Sequence, residues 1–152
     1  MEEETGTEQA TPAAEEKKTP LTVIDAIVLS LAGKEDAPSK EEIEAWKKQY
    51  RNIHMFALNE DEIFIYRTIG RSEYRTVVNL QDTIKAANQK ATPEEVEDKA
   101  RMEVCKMAVL YPKDLDSAME YIGGLSFILS DQIYFSSCIV PAQVALGSIR
   151  KI

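Results

Sequence analysis

Two β-rich segments lie close together in this 152-residue chain, at residues 53–58 and 63–69. An acidic loop from Asn59 to Glu62 separates them, so the pattern predicts an antiparallel β-hairpin over about 53–69. A ribbon that is apolar on both faces needs a cover on each, and the hairpin is therefore expected to pack between helices. The large apolar side chains are Ile53, Met55, Ile63 and Ile65 on one face, and Phe56, Leu58, Phe64 and Tyr66 on the other.

Helix-start patterns surround the hairpin. At Thr22, Ser39 and Thr92 a hydroxyl residue is followed three positions later by an acidic residue, as in a capping box. The helix after Thr22 is apolar over most of its circumference, so its own core or another chain must cover it. The predicted fold class is α+β, mainly helical with one antiparallel hairpin. The predicted helices run from Thr22 to Ala32, Ser39 to Tyr50, Ser72 to about Asn88, Thr92 to Tyr111, Asp114 to Ile122 and Leu125 to about Cys138.

Charge divides the chain into two parts. Residues 1–19 hold six Glu and two Lys, which is half of the net charge of −8, and after Met1 they include no large apolar side chain. Such a segment cannot bury enough surface to offset its ordering entropy. We therefore predict a disordered acidic arm over 1–19 and a single folded domain over 20–152.

The same charge limits the classes of partner. A net charge of −8 repels a phosphate backbone, and every long apolar stretch is interrupted by Asp, Gly, Pro or Ser. Cys105 and Cys138 lie in apolar surroundings without CxxC spacing, so they are predicted to be buried thiols in a reducing compartment. We expect a soluble intracellular protein that binds neither nucleic acid nor membrane.

No residue pattern in the sequence is typical of a catalytic, cofactor-binding or metal-binding site. His54 is the only histidine, and no cluster of Cys, His and acidic residues has metal-ligand spacing. The pair Gly123-Gly124 lacks a phosphate-loop pattern and is better explained as a helix break. The runs of carboxylates at 41–44 and 94–98 suit the first turns of helices. We therefore predict that the protein is not an enzyme and needs no cofactor.

Candidate partner-binding residues lie in three places. Trp46 and Tyr50 lie on one face of the helix that follows Ser39. Such a pair is typical of a core, and a partner interface is the alternative. Three arginines around the hairpin end, at 67, 71 and 75, suit an acidic partner and equally suit pairing with Glu73 or the loop acids. Between residues 121 and 149 Asp131 is the only charge, so this region is either deep core or a partner surface. The candidates are Trp46, Tyr50, Arg67, Arg71, Tyr74, Phe127, Ile128, Tyr134 and Phe135.

One pattern extends from Ser39 to Tyr74. A helix with a Trp and a Tyr at its end leads into the hairpin, and arginines then flank an apolar residue at the next helix start: Trp46, Tyr50, Arg67, Ile69, Arg71, Glu73 and Tyr74. Farther on, EVCKMAVLYP (103–112) precedes GGLSFILSDQIYFSSC (123–138). This order resembles small tail-morphogenesis proteins of tailed bacteriophages over about two thirds of the chain. Arg51 stands where that pattern commonly has Gly.

The resemblance implies a family of tail assembly chaperones, similar also to the baseplate-hub assembly proteins of T4-like contractile phages. Such a protein would bind other tail or baseplate proteins in the host cytoplasm during virion assembly and would perform no chemistry. The alternative is a permanent structural subunit of the baseplate, tail or connector, which would remain in the virion. A homo-oligomer is compatible with either role.

Overall fold

A computed structural model describes residues 20–139, so the predicted acidic arm and the last thirteen residues lie outside the described part. The described chain is mainly helical with one antiparallel sheet, and the predicted α+β class is confirmed. The strands lie in the order β1-β2-β3. Its elements are α1 (Val23–Ser30), α2 (Lys40–Tyr50), β1 (Ile53–Ala57), β2 (Ile63–Arg67), α3 (Arg71–Ala87), α4 (Pro93–Ala108), β3 (Val109–Tyr111), α5 (Leu115–Tyr121) and α6 (Leu125–Ser136).

The hairpin forms as predicted and is covered on both faces along β2. Strands β1 and β2 pair in a register that places Met55 opposite Ile65 and Phe56 opposite Phe64. On one face, Phe64 and Tyr66 join a core that includes buried residues of α3, α4, α5 and α6. On the other face, Ile63 and Ile65 join a smaller core with buried residues of α1 and α2. Strand β2 is thus the layer between two helical covers.

Three helices begin at the capping boxes that the sequence predicts. In each, the hydroxyl of Thr22, Ser39 or Thr92 accepts a hydrogen bond from a backbone N–H in the first turn, and the acidic side chain three residues on accepts one from the cap residue. At α1, hydrogen bonds from Thr22 and then from Lys40 lower the pKa of the Asp25 carboxyl to about 2. The Lys40 to Asp25 ion pair, 3.0 Å long, also joins the start of α2 to α1.

The prediction of a helix from Thr92 to Tyr111 is wrong at its end. Helix α4 stops at Ala108, and Val109–Tyr111 form a third strand on β2. A residue that precedes proline is disfavoured in helical conformation, so Pro112 already acts on Tyr111. Burial adds to this effect, because Tyr111 lies in the core beside α1 and α2 and its hydroxyl donates to the Glu35 carbonyl at 3.3 Å.

The predicted start of α3, with Ser72 as its cap residue, is also wrong. The cap is Gly70, whose N–H donates to Glu73 Oε1 at 3.2 Å, and Ser72 lies inside the first turn. A glutamate at the third helical position reaches back to the cap residue, so Glu73 marks a start two residues before Ser72. At the other end of the chain, α6 stops at Ser136, and Cys138 follows in a turn with φ 61°.

Candidate functional site

Helix α6 has a buried side and an exposed side, both apolar. Leu125, Leu129 and Ile133 are fully buried in the larger core. Phe127, Ile128 and Phe135 are 41%, 38% and 65% exposed. Helix α6 is therefore core along one side, as one of the two interpretations of the sequence predicts, and exposed along the other, where a partner surface stays a prediction. We call Phe127, Ile128, Asp131 and Phe135 the α6 surface.

Arg101 of α4 fixes the α6 surface in place. Its Nη1 donates to Asp131 Oδ1 and to the buried Ser130 Oγ, both at 2.7 Å. The guanidinium also stacks on the Phe127 ring, with Cζ 4.8 Å from the ring centroid. Asp131 is the one charge on this surface, and it pairs with Arg101, whose guanidinium also pairs with Glu97 of α4 at 3.0 Å. The α6 surface is thus predominantly apolar in character and is tied to the neighbouring helix.

Tyr74 and Tyr134 join α3 to α6 at the margin of this surface. Their rings meet edge to face, with centroids 6.1 Å apart and an angle of 87° between the planes. Tyr134 is half-buried, and burial raises the pKa of its phenol. Tyr74 is more exposed and lies on α3 with Val78, whose side chain is also exposed. These two exposed residues extend apolar surface onto α3.

The structure gives Arg67 a partner within the chain. Its Nη1 and Nη2 donate to the two carboxylate oxygens of Glu73 at 2.9 and 2.6 Å, and its guanidinium lies over the Tyr50 ring. The hydrogen bond to Glu73 raises the pKa of Arg67 and lowers that of Glu73. Of the two alternatives left open by the sequence, pairing with Glu73 therefore holds for Arg67. Arg71 and Arg75 are exposed and form no ion pair within residues 20–139.

Trp46 lies apart from the α6 surface. It is partly buried and packs against the core between α1, α2 and the sheet, where Ile43 is fully buried. Trp46, Tyr50 and Arg67 thus make intrachain contacts. The other predicted partner-binding residues are exposed or half-buried: Phe127, Ile128, Tyr134 and Phe135 lie on α6, Tyr74 contacts Tyr134 from α3, and Arg71 lies at the start of α3.

The two cysteines differ in environment. Cys105 is fully buried, as predicted, and desolvation raises the pKa of its thiol to about 12. Cys138 was also predicted to be buried, and that prediction is wrong, because its side chain is exposed. The reason is local: Cys138 follows the last turn of α6 with positive φ, beyond the residues that face the core.

At about pH 8, iodoacetamide is expected to modify Cys138 in the folded protein and to leave Cys105 intact. A pKa of about 12 in place of 9.0 lowers the thiolate fraction of Cys105 roughly a thousandfold, and burial blocks the reagent as well. Mass spectrometry of the digested protein measures both sites. In concentrated urea the two should react alike, whereas equal rates in the folded protein would contradict the assigned burial.

His54 and the acidic side chains are the remaining candidates for chemistry within residues 20–139. His54 is exposed on β1 and stacks on the Tyr66 ring, with centroids 5.5 Å apart. Across residues 20–139, no group of three or more His, Cys, Asp or Glu side chains is placed to hold a metal ion. None of the described helices has the length and apolar character to cross a membrane.

Sequence reasoning missed Arg101, and although it predicted an apolar helix after Thr22 that needs a cover, it did not identify Leu21, Val23 and Leu29 as exposed residues. Arg101 directly follows Ala100, a buried residue of α4, but its contacts on α6 lie about 30 residues away along the chain. No protein-family model, curated protein or solved structure matches this chain. The geometry of the α6 surface and the sequence patterns therefore carry the functional argument.

Proposed function

We propose that this chain is a non-enzymatic phage tail-morphogenesis protein that binds other tail or baseplate proteins during virion assembly, in the manner of a tail assembly chaperone. The observation that carries the binding role is the α6 surface, where three large apolar side chains are exposed on a helix whose other side is fully buried. The phage context rests on the resemblance of residues 39–74, 103–112 and 123–138 to tail-morphogenesis proteins.

The chemistry of the α6 surface favours the apolar face of a partner helix. Phe127 and Phe135 are aromatic residues of the kind enriched in interface cores. The one carboxylate, Asp131, is held by Arg101 at the border of the surface, which leaves the three large apolar side chains as its main contact area. An amphipathic helix with apolar residues at i, i+3, i+4 and i+7 would match such a strip.

The experiment that tests this function is capture of tail proteins from phage-infected cells with the tagged full chain, together with mass spectrometry of purified particles. Capture of a tail or baseplate protein, with this chain missing from the particles, supports the chaperone role. Presence in the particles at a fixed copy number supports the alternative, a permanent structural subunit. Capture of no tail or baseplate protein, with the chain also missing from the particles, would contradict both.

The double variant Phe127→Asp/Ile128→Asp is expected to fold and to lose partner capture. Both side chains are partly exposed, and an aspartate at 127 lies beside the Arg101 guanidinium, so the fold tolerates the change. Loss of two interface anchors is expected to weaken binding by about 30-fold or more. Capture yield and the circular dichroism spectrum measure the two properties separately.

Val23→Asp is the matched control for that variant. Val23 is 78% exposed and lies in the first turn of α1, where an acidic residue is favourable. This variant adds a carboxylate to an exposed apolar position away from α6 and should capture the partner as the unmodified chain does. Full capture by the α6 double variant would remove the α6 surface from the proposal.

A further inference from the structure

Strand β1 forms one edge of the sheet, and the hydrogen-bond pattern shows which of its groups face outward. Leu58 N–H donates to the Glu62 carbonyl at 2.9 Å, and Thr68 N–H donates to the Asn52 carbonyl at 3.3 Å. In an antiparallel pair, residues that bond to the neighbouring strand alternate with residues that point away from it. Even-numbered residues of β1 therefore bond to β2, and the N–H and C=O groups of Ile53, Met55 and Ala57 point to the open edge.

This edge lacks the features that usually prevent strand pairing. Within residues 20–139, no hydrogen bond reaches the outward backbone groups of β1. The strand reads Ile-His-Met-Phe-Ala, without proline or a formally charged residue, and its pairing with β2 has no bulge. Native edge strands are commonly protected by lysine, proline or a bulge. Met55, at the centre of the strand, is 41% exposed.

The outward groups are self-complementary. Ile53, Met55 and Ala57 are spaced two residues apart and are symmetric about Met55. If two copies of β1 pair antiparallel with Met55 opposite Met55, Ile53 of each copy lies opposite Ala57 of the other. All three facing pairs are then hydrogen-bonded pairs, because every outward N–H meets an outward C=O. One register thus satisfies the whole edge of both copies.

Charge favours the same antiparallel arrangement. The end of α2 just before β1 is basic, with Lys47, Lys48 and Arg51, and the loop just after β1 is acidic, with Glu60, Asp61 and Glu62. Antiparallel pairing brings the basic end of each copy towards the acidic loop of the other. Parallel pairing would place like charges together at both ends, which is unfavourable. The opposite charges at the two ends of β1 therefore favour a second copy of this chain in the antiparallel direction.

We propose that β1 pairs antiparallel with β1 of a second copy of this chain, which joins two three-stranded sheets into one across a two-fold axis. This surface differs from the α6 surface, so the inference goes beyond the proposed function. A dimer of this kind would present two copies of the α6 surface. Its symmetry is that of the commonest homo-oligomers, in which the same patch meets itself.

Sedimentation equilibrium of the full chain tests the proposal. The unmodified chain is expected to be a dimer whose dissociation constant rises with salt, because exposed charges are screened. Met55→Pro removes the central outward N–H without removing a bond to β2, and proline is tolerated at such an edge position. Met55→Lys places two ammonium groups together on the axis. Each variant is expected to raise the dissociation constant by about 100-fold or more.

Val23→Lys is the matched control, since it adds the same charge at an exposed apolar position of α1, outside β1. It should remain a dimer, and circular dichroism should show that Met55→Lys is folded even if Met55→Pro is not. If the unmodified chain is monomeric at millimolar concentration, the proposal is overturned. This holds also if the edge of β1 then pairs with a strand of another protein. The proposal would also be overturned if the Met55→Lys variant is folded and dimerises as tightly as the unmodified chain.

Amide hydrogen exchange gives a second, independent readout. In the dimer, the amides of Ile53, Met55 and Ala57 are expected to be protected, and in Met55→Lys they should exchange as exposed amides. Fast exchange at these positions in a dimeric unmodified chain would place the interface elsewhere and overturn the proposal. Partner capture by Met55→Lys should be retained, so failure of this inference and failure of the proposed function give different results.

Discussion

Leu129→Asp is expected to unfold the protein under conditions in which the unmodified chain is stable. Leu129 is 0% exposed and lies in the larger core between the buried residues Leu125 and Ile133 of the same helix side. An uncompensated buried charge costs about 3–5 kcal/mol or more, against a total stability of about 5–15 kcal/mol for a typical domain. Urea unfolding followed by circular dichroism at neutral pH measures the loss.

Ile128→Asp is the control, because it makes the same change one residue earlier on the exposed side of α6. We expect its free energy of unfolding to differ from that of the unmodified chain by about 1 kcal/mol or less. Similar unfolding curves for the two variants would contradict the assignment of opposite sides of α6 to core and surface. The pair thus separates a loss of folding from a loss of partner binding.

Phe64→Ala and Ile65→Ala are expected to lower the free energy of unfolding by about 3–5 and 2–5 kcal/mol, respectively. Both side chains are fully buried, yet they point to opposite faces of β2 and enter different cores. Because one strand carries both contacts, damage to either core should weaken the other. Denaturant titration should give one shared transition for each variant, whether followed by far-ultraviolet circular dichroism or by Trp46 fluorescence.

Trp46 reports on the smaller core, beside α1 and α2, so it provides the check on coupling. In Phe64→Ala the altered side chain belongs to the larger core, and the tryptophan signal should still shift with the circular dichroism signal. Two separate transitions would mean that the cores unfold independently and that β2 does not couple them. Phe56→Ala, on the edge strand and only partly buried, should cost less than Phe64→Ala.

The elements that sequence reasoning predicts well are those with local causes. Capping boxes at Thr22, Ser39 and Thr92 involve residues three positions apart, and the hairpin requires only two neighbouring apolar segments and a turn. The need for a helical cover on each face of the hairpin also follows from its sequence, because odd-numbered and even-numbered residues of β2 are both apolar. These features depend on short-range geometry, so they can be inferred before the tertiary fold is known.

The error at residues 109–111 arises because distant residues decide the outcome. Val109–Tyr111 is only three residues long, and its strand conformation depends on pairing with β2 more than 40 positions earlier. Nothing in the local pattern separates it from the last turn of α4 except Pro112. Cys138 lies among apolar residues in sequence, but the end of α6 sets its exposure. Local composition does not determine burial at the end of an element.

The candidate site was only partly predictable for the same reason. Phe127, Ile128 and Phe135 lie in an almost uncharged region, where helical periodicity cannot distinguish an exposed apolar side from a buried one. The distinction comes from α4, which covers one side of α6 and supplies Arg101 at its border. Arg67 shows the opposite outcome. Its sequence position suits an acidic partner, but its guanidinium is paired with Glu73 of the same chain.

The third strand also has a consequence for synthesis of the chain. Translation proceeds from the N-terminus, so α1, α2 and the hairpin leave the ribosome before residues 109–111 do. Until then, the side of β2 that pairs with β3 is a second open edge, and the smaller core lacks Tyr111. A nascent chain that stalls or ends before Val109 therefore has an unpaired strand edge on both sides of the hairpin, and such edges can template aggregation. In the completed chain, β3 pairs with the edge of β2.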